Sequence, residues 1–219
     1  MIFQDIISMK QKIKNVPIPV IKRMPYYLSF VKILQGNGDK YVSSTRIAQY
    51  MGIDSTQVTK DLSHTGITGK TRVGYEVDSF IDILTDFLGF NKVSKAFIVG
   101  VGSLGSSLLQ DRGLAVFGLK IDEAFDIDVN KIGLKINDIE VHSLVDFKLF
   151  AFNNSVEIGI ITTPASEAQR VADIMVDSGI KGIWNFTPSR IKVPNDIVVQ
   201  NTTIYTNLAI LYNKLSSSK

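Results

Sequence analysis

The sequence predicts an α/β protein in three parts: a helical N-terminal domain at 1–90, a small parallel-sheet domain at 91–202 and a C-terminal helix at 203–219. Two observations carry that prediction. Between residues 17 and 88 the apolar positions recur at helical spacing, with breaks at Gly36-Asn37-Gly38 and at Gly52. From Lys95 onward, short β-rich runs at 96–99, 156–161, 182–186 and 197–199 alternate with helical stretches, the pattern of parallel βαβ units.

Composition sets the outer limits. With 219 residues, 45% of them apolar and 21% charged, the chain can bury one large core or two small ones, which excludes disordered and collagen-like classes. No apolar run nears the roughly 20 residues a membrane helix needs, and no secretory leader pattern opens the sequence, so a cytoplasmic protein without a membrane partner is expected. There is no cysteine, and His64 and His142 are the two histidines. A disulfide, a thiol nucleophile and a structural zinc set are thereby excluded; no metal site is expected, although hard-cation ligands stay open.

Charge is distributed unevenly. Residues 1–72 hold eleven Lys or Arg against four acids, residues 73–90 hold four acids and no Lys or Arg, and residues 91–219 hold thirteen of each sign. The whole-chain charge of +3 therefore originates near the N-terminus. A basic segment of this kind is an electrostatic footprint for nucleic acid, with a solvated basic face as the alternative.

Within that segment Ser43 or Ser44 is placed to cap a short helix through Tyr50, Gly52 supplies a left-handed stop, and Asp54 or Ser55 caps a second helix to about Ser63. Ile47, Ala48, Met51, Ile53, Val58 and Leu62 fall where two helices pack on each other and on Tyr26, Phe30 and Leu34 of the preceding helix. Ser55, Gln57, Thr59, Lys60 and Ser63 are left on the outer face, where a helix-turn-helix presents its groove contacts. Residues 67–77 read as a β-wing turned by Gly66, Gly69 and Gly74, with Lys70 and Arg72 near its tip. Gln57 suits adenine in the major groove; Lys60, Lys70 and Arg72 suit phosphate or a narrow minor groove. His64 is either a groove contact or a helix-end residue, and an ordinary three-helix bundle accounts for the same spacing.

The second segment opens on a strand that runs into Gly100-Val101-Gly102-Ser103-Leu104-Gly105 and then a helical stretch at 106–110. That is G-x-G-x-x-G in its strand-turn-helix context, a Rossmann-type dinucleotide turn. Gly100 permits the tight turn, Gly102 lets the backbone approach a pyrophosphate, and Gly105 allows close helix-strand packing. The expected acid, Asp126, lies 21 positions after Gly105. It would accept hydrogen bonds from the adenosine ribose and repel a 2′-phosphate, which favours NAD over NADP; its other role is capping a loop. Thr162-Thr163-Pro164-Ala165 and Asn185-Phe186-Thr187-Pro188 each follow a strand-like run and so belong at the ligand-binding edge of the sheet, or are simple turns. Trp184 and His142 read as packing residues. No catalytic residue is expected: this half has no Ser/Tyr/Lys set at useful spacing, His142 is its one histidine, and residues 91–219 barely suffice for the sheet, its helices and a C-terminal helix.

Taken together, these features resemble the Rex family of redox-sensing transcriptional repressors. The resemblance rests on Lys22-Arg23-Met24-Pro25, Gln57-Val58-Thr59-Lys60-Asp61-Leu62-Ser63, Gly66-Ile67-Thr68-Gly69-Lys70, Val73-Gly74-Tyr75, the 99–105 turn, Ala124-Phe125-Asp126-Ile127-Asp128, Thr163-Pro164-Ala165 and the run 179–188. It implies a winged helix-turn-helix domain, a Rossmann domain binding NADH and NAD⁺ as effectors, and a homodimer that exchanges its C-terminal helix. It also implies a palindromic, A/T-rich double-stranded operator that NADH binding releases. Under that resemblance Gly100, Val101, Gly102, Ser103, Leu104, Gly105, Asp126, Thr163, Pro164, Ala165, Asn185 and Phe186 hold the nucleotide. Ser44, Ser55, Gln57, Thr59, Lys60, Ser63, His64, Lys70 and Arg72 face DNA.

The sequence also departs from the family pattern. Thr59 stands where a second basic residue is usual, His64 and Thr65 stand near usual aromatics, and Thr71-Arg72 replaces Arg-Gly. The arginine, tyrosine and aspartate that couple nucleotide to domain position in many members are Ser29, Asp111 and Thr203 here, so a reduced NADH response is expected. Two other classes fit part of the pattern: a small NAD-dependent oxidoreductase, and a CoA- or nucleotide-binding regulatory module without DNA binding.

Overall fold

A computed structural model describes residues 16–217. It divides into two compact units between Lys92 and Val93.

In the first unit helix α1 spans Ile18–Gly36. Pro19 sits in its first turn, where a missing N–H costs no hydrogen bond. Val20, Met24, Tyr27, Leu28, Val31 and Leu34 form its buried stripe at three- and four-residue spacing. The expectation that Tyr26 packs inward is corrected: Tyr27 is fully buried and Tyr26 is 62% exposed. One residue is about 100° of helix, so the stripe that takes Tyr27 in turns Tyr26 out.

Strand β1, Tyr41–Val42, leads into α2, Ser44–Met51. Ser43, not Ser44, is the cap, accepting the Arg46 N–H at 3.1 Å. Gly52 ends α2 at φ 64°, and Asp54 caps α3, Ser55–Leu62, by accepting the Thr56 N–H at 2.7 Å. Ile47, Ala48, Val58 and Leu62 of this helix-turn-helix are buried with the α1 stripe and with Phe80 and Leu84 of α4, Val77–Phe87.

The wing is slighter than expected. Strand β2, Tyr75–Glu76, pairs antiparallel with β1 through Tyr41↔Glu76 and Val42↔Tyr75, and the tip closes by a single bridge between Lys70 and Gly74. Gly66 and Gly74 turn the chain at φ 84° and 102°, and a Cβ at Gly74 would lie 2.4 Å from the Val42 carbonyl oxygen. Gly69 has a different task. Its missing side chain makes room for the Tyr75 ring, 3.0 Å from where a Cβ would stand.

The second unit is a seven-stranded sheet. In chain order its strands are β3 (Ser94–Val99), β4 (Leu119–Asp126), β5 (Lys135–Ile136), β6 (Ile139–Ser143), β7 (Ile158–Ile161), β8 (Gly182–Asn185) and β9 (Val198–Asn201). The spatial order is β5-β6-β4-β3-β7-β8-β9, parallel except for β5. Helices α5 (Ser103–Gln110), α6 (Gly113–Val116), α7 (Phe147–Asn154) and α8 (Ala168–Asp177) complete the crossovers. Helix α5 starts three residues before the expected 106, because Gly102 itself is the extended N-cap.

Alternation in β3 buries both faces of the sheet: Phe97 and Val99 pack with Phe125, Phe147 and Val171, while Ala96 and Ile98 pack with Leu109, Ala124 and Ile160. The chain leaves β3 toward β4 on one side and returns to β7 on the other. The crevice at the carboxyl ends of β3 and β7 is thus the topological switch point, where ligands bind in sheets of this type. Helix α9, Ile204–Ser217, closes the described chain. Among the described residues no helix is long and apolar enough to cross a membrane.

Candidate functional site

The glycine turn fills one lip of the crevice. Gly100 adopts φ 99°, and its N–H donates to the Phe125 carbonyl at 2.8 Å. A Cβ there would meet the Thr162 carbonyl carbon at 2.8 Å, so β7 comes close enough to require glycine. Gly105 packs closer still: its Cβ would lie 2.0 Å from the Gly100 carbonyl oxygen. Gly102 is the opposite case. Nothing lies within 4 Å of where its Cβ would be, and it caps α5 with no side-chain hydrogen bond. An open backbone face at an uncapped helix N-terminus is what a pyrophosphate needs.

Beside this turn lies a cavity of about 270 Å³. Gly100, Gly102, Asp126, Thr163 and Pro164 line it, joined by Lys131, which the sequence reading missed. No local signal marks Lys131; it follows Asp126 by five residues in the loop after β4, and only the fold of that loop turns it back. Val101, Ser103, Leu104, Gly105, Ala165, Asn185 and Phe186 do not line the cavity. Val101 is buried in the core and supplies its N–H to Asp126. Asn185 is wholly buried and holds the turn after β8, donating to the Ser189 carbonyl and Asn201 while accepting from the Thr187 N–H and hydroxyl. Phe186 packs against Trp184 with the rings tilted and their centroids 4.7 Å apart.

Asp126 is buried, and its four hydrogen bonds come from the chain itself: the N–H groups of Val101, Ile127 and Asp128, and the Lys131 ammonium at 3.1 Å. Burial pushes the carboxyl up, but the backbone bonds from Asp128 and Val101 and the Lys131 ammonium outweigh it and hold the group below the usual carboxylate range. His142, read as a packing residue, packs against Phe150 with the rings tilted and their centroids 4.3 Å apart, and also pairs with Glu123 at 3.0 Å. Its partner sits on the adjacent strand, which the linear sequence hides.

In the first unit, Thr59, Lys60, Ser63 and His64 are exposed around α3 and its end, and Lys70 and Arg72 are exposed at the wing tip. Ser44, Ser55 and Gln57 are half-buried. The Thr59 hydroxyl donates to the Ser55 carbonyl and the Ser63 hydroxyl to the Lys60 carbonyl, which leaves both oxygens as acceptors. The Gln57 amide donates to Asp61 at 2.7 Å. Asp61 itself is buried beneath α3, where it takes a two-pronged ion pair from Arg23 at 2.6 and 2.8 Å and the Tyr27 hydroxyl at 2.7 Å. Burial raises the Asp61 carboxyl, yet the bonds from Arg23, Tyr27 and Gln57 keep it below its ordinary range. Arg23 and Arg46 are thus committed to Asp61 and Asp39, and the basic surface rests on the lysines and Arg72. Ser29 is exposed on α1, Asp111 accepts the Gly113 N–H at 2.7 Å, and Thr203 precedes α9 half-buried.

Comparison with known proteins follows this division. Residues 15–63 match the family model described as "Putative DNA-binding protein N-terminus", and residues 91–189 match "CoA binding domain". The chain is 51% identical over 202 residues to the redox-sensing transcriptional repressor Rex of Bacteroides thetaiotaomicron, covering 92% of each chain. It is 48% identical to that of Porphyromonas gingivalis, covering 93% of each. Among solved structures, RSP in complex with β-NAD⁺ and operator DNA superimposes with a TM-score of 0.88 at 33% identity, covering 93% of this chain and 94% of that one. RSP in complex with β-NADH superimposes with a TM-score of 0.84, covering 93% and 96%. On the strength of those identities across both units, the protein belongs to the Rex family of redox-sensing transcriptional repressors.

Proposed function

We propose that this chain is a homodimeric, cytoplasmic repressor that reads a palindromic, A/T-rich operator through its 1–90 domain and binds NADH and NAD⁺ as effectors through its 91–202 domain. NADH binding weakens its hold on DNA. The observation that carries this reading is the open Gly102 turn at the switch point, on a chain 51% identical to a redox-sensing repressor. Exposed Thr59, Lys60, Ser63 and His64 together with wing-tip Lys70 and Arg72 support the DNA half. So does the solved relative held with operator DNA and NAD⁺.

Helix α9 supports the dimer. It has no buried residue, and Ile204, Leu208, Leu211 and Leu215 stand 66%, 38%, 52% and 58% exposed at the spacing of one helical face. A second copy that takes residues 203–219 in exchange covers this face. The nucleotide is a signal here, not a reagent: we assign no catalytic residue, and no metal. Selecting duplexes from a random pool with NAD⁺ and again with NADH tests the reading. The expected outcome is salt-sensitive binding to a palindrome that NADH weakens; no salt-sensitive affinity for any duplex refutes the repressor reading, and turnover of alcohols or 2-hydroxy acids refutes the regulatory one. The match to a CoA-binding family model makes CoA the second candidate effector. Thermal stabilisation by CoA but not by NADH would select it.

A further inference from the structure

We infer that Lys131, with Asp126 behind it, reads the 2′ position of the adenosine ribose; the inference rests on the nucleotide reading above and assigns roles inside that site. An acid recognises a ribose by accepting hydrogen bonds from its hydroxyls, which requires vacant acceptor positions. A carboxylate has about four. In Asp126 all are taken: Oδ1 accepts the Ile127 and Asp128 N–H groups at 2.8 and 3.0 Å, and Oδ2 accepts the Val101 N–H at 2.7 Å and Lys131 at 3.1 Å. Binding a ribose there would strip a partner from a backbone N–H or from the ammonium. Asp126 therefore positions: it joins the glycine turn at Val101 to the loop after β4, and it fixes Lys131.

Lys131 has capacity to spare. An ammonium carries three donors, and Asp126 takes one. The Asp128 carboxylate, at 3.9 Å, lies beyond hydrogen-bond reach. The Lys131 side chain is 34% exposed and lines the cavity with Gly100, Gly102 and Thr163. The Thr163 hydroxyl oxygen is buried without a hydrogen-bond partner among the described residues. The cavity thus offers unspent ammonium donors and an unpaired hydroxyl, a complement to a ribose diol.

Charge then decides which ribose. A hydroxyl accepts a hydrogen bond from Lys131 whether or not Asp126 balances its charge. A 2′-phosphate meets the Asp126 carboxylate as well as the ammonium, and Glu167 lines the same cavity. Preference for the unphosphorylated nucleotide therefore depends on the pair, and removing the Asp126 charge alone leaves a lone cation that favours phosphate.

The test is titration of the full-length chain with NADH and NADPH for the parent, Lys131→Met, Asp126→Asn and the double variant. Lys131→Met is expected to weaken NADH about fivefold or more. Asp126→Asn is expected to raise NADPH affinity relative to NADH by about tenfold, and the double variant to lose that shift. NADH binding by Lys131→Met equal to the parent's, or a double variant that keeps the Asp126→Asn ratio, overturns the inference. Should Asp126→Asn fail to fold, the titrations of partly exposed Lys131→Met decide alone. A parent that binds no NADH overturns the nucleotide reading and this inference together, whereas a parent that binds it with Lys131→Met unchanged overturns this inference only.

Discussion

Two glycines of one turn should fail for opposite reasons. Gly102 sits at φ −84° and ψ −165°, an extended conformation open to any residue, with nothing within 4 Å of its Cβ direction. Gly102→Val should therefore leave stability within about 0.5 kcal/mol while its methyl groups occupy the space a pyrophosphate needs. Gly105→Ala puts a carbon 2.0 Å from the Gly100 carbonyl oxygen, well over 1 Å inside normal contact, and that oxygen also accepts the Thr162 hydroxyl at 2.6 Å. The backbone must move, at a cost of about 2–3 kcal/mol for overpacking, which lowers the melting temperature by roughly 4–12 °C in a chain of this size. The parent should melt roughly 5–11 °C higher with NADH at a hundred times its Kd, from about 2.7 kcal/mol of linkage. Melting curves with and without NADH separate the cases. Gly102→Val should melt like the unliganded parent and gain nothing from NADH, while Gly105→Ala should melt low in both. A Gly102→Val protein stabilised by NADH as the parent is, or a Gly105→Ala protein as stable as the parent, refutes the reasoning.

Other outcomes follow from the remaining sites. Lys60→Ala should weaken binding to every duplex and lower the salt slope by about one, whereas Gln57→Ala should cost about 1–3 kcal/mol at one base position, both measured by anisotropy across salt. Asp61→Ala strands the Arg23 guanidinium and should destabilise the first unit by about 3–5 kcal/mol in chemical denaturation. Because the folded Asp61 carboxyl lies below its unfolded value, its stabilisation is full above about pH 4 and is lost as pH falls through the lowered folded value; the parent should lose more stability there than Asp61→Asn does. Saturating NADH should weaken operator binding by less than about tenfold, and Ser29→Arg with Asp111→Tyr and Thr203→Asp should enlarge the effect. A hundredfold loss in the parent would assign the switch to other contacts. Leu208→Glu with Leu211→Glu on α9 should yield monomer in sedimentation, and an intact dimer would reject the exchanged-helix interface.

Much of this architecture is local and was legible in the sequence. The stop at Gly52 and the turn through Gly100 and Gly105 follow from backbone rules that act over a few residues, so spacing narrowed the caps to Ser43 or Ser44 and Asp54 or Ser55 and placed the glycine turn, while the structure chose Ser43 and Asp54. The two-residue β1–β2 ladder and the inward turn of Tyr27 instead of Tyr26 were settled by packing between distant segments. The same holds for partnership. Asp61 meets Arg23 across 38 residues and Glu123 meets His142 across 19, while Asp126 spends its acceptors on a glycine turn 25 residues upstream and on Lys131, brought back by its loop. A carboxylate in a sequence is a charge with four empty acceptor positions. Only the tertiary structure decides who fills them, because burial makes an unpaired group costly and the nearest donors belong to whichever strand or loop the fold sets beside it.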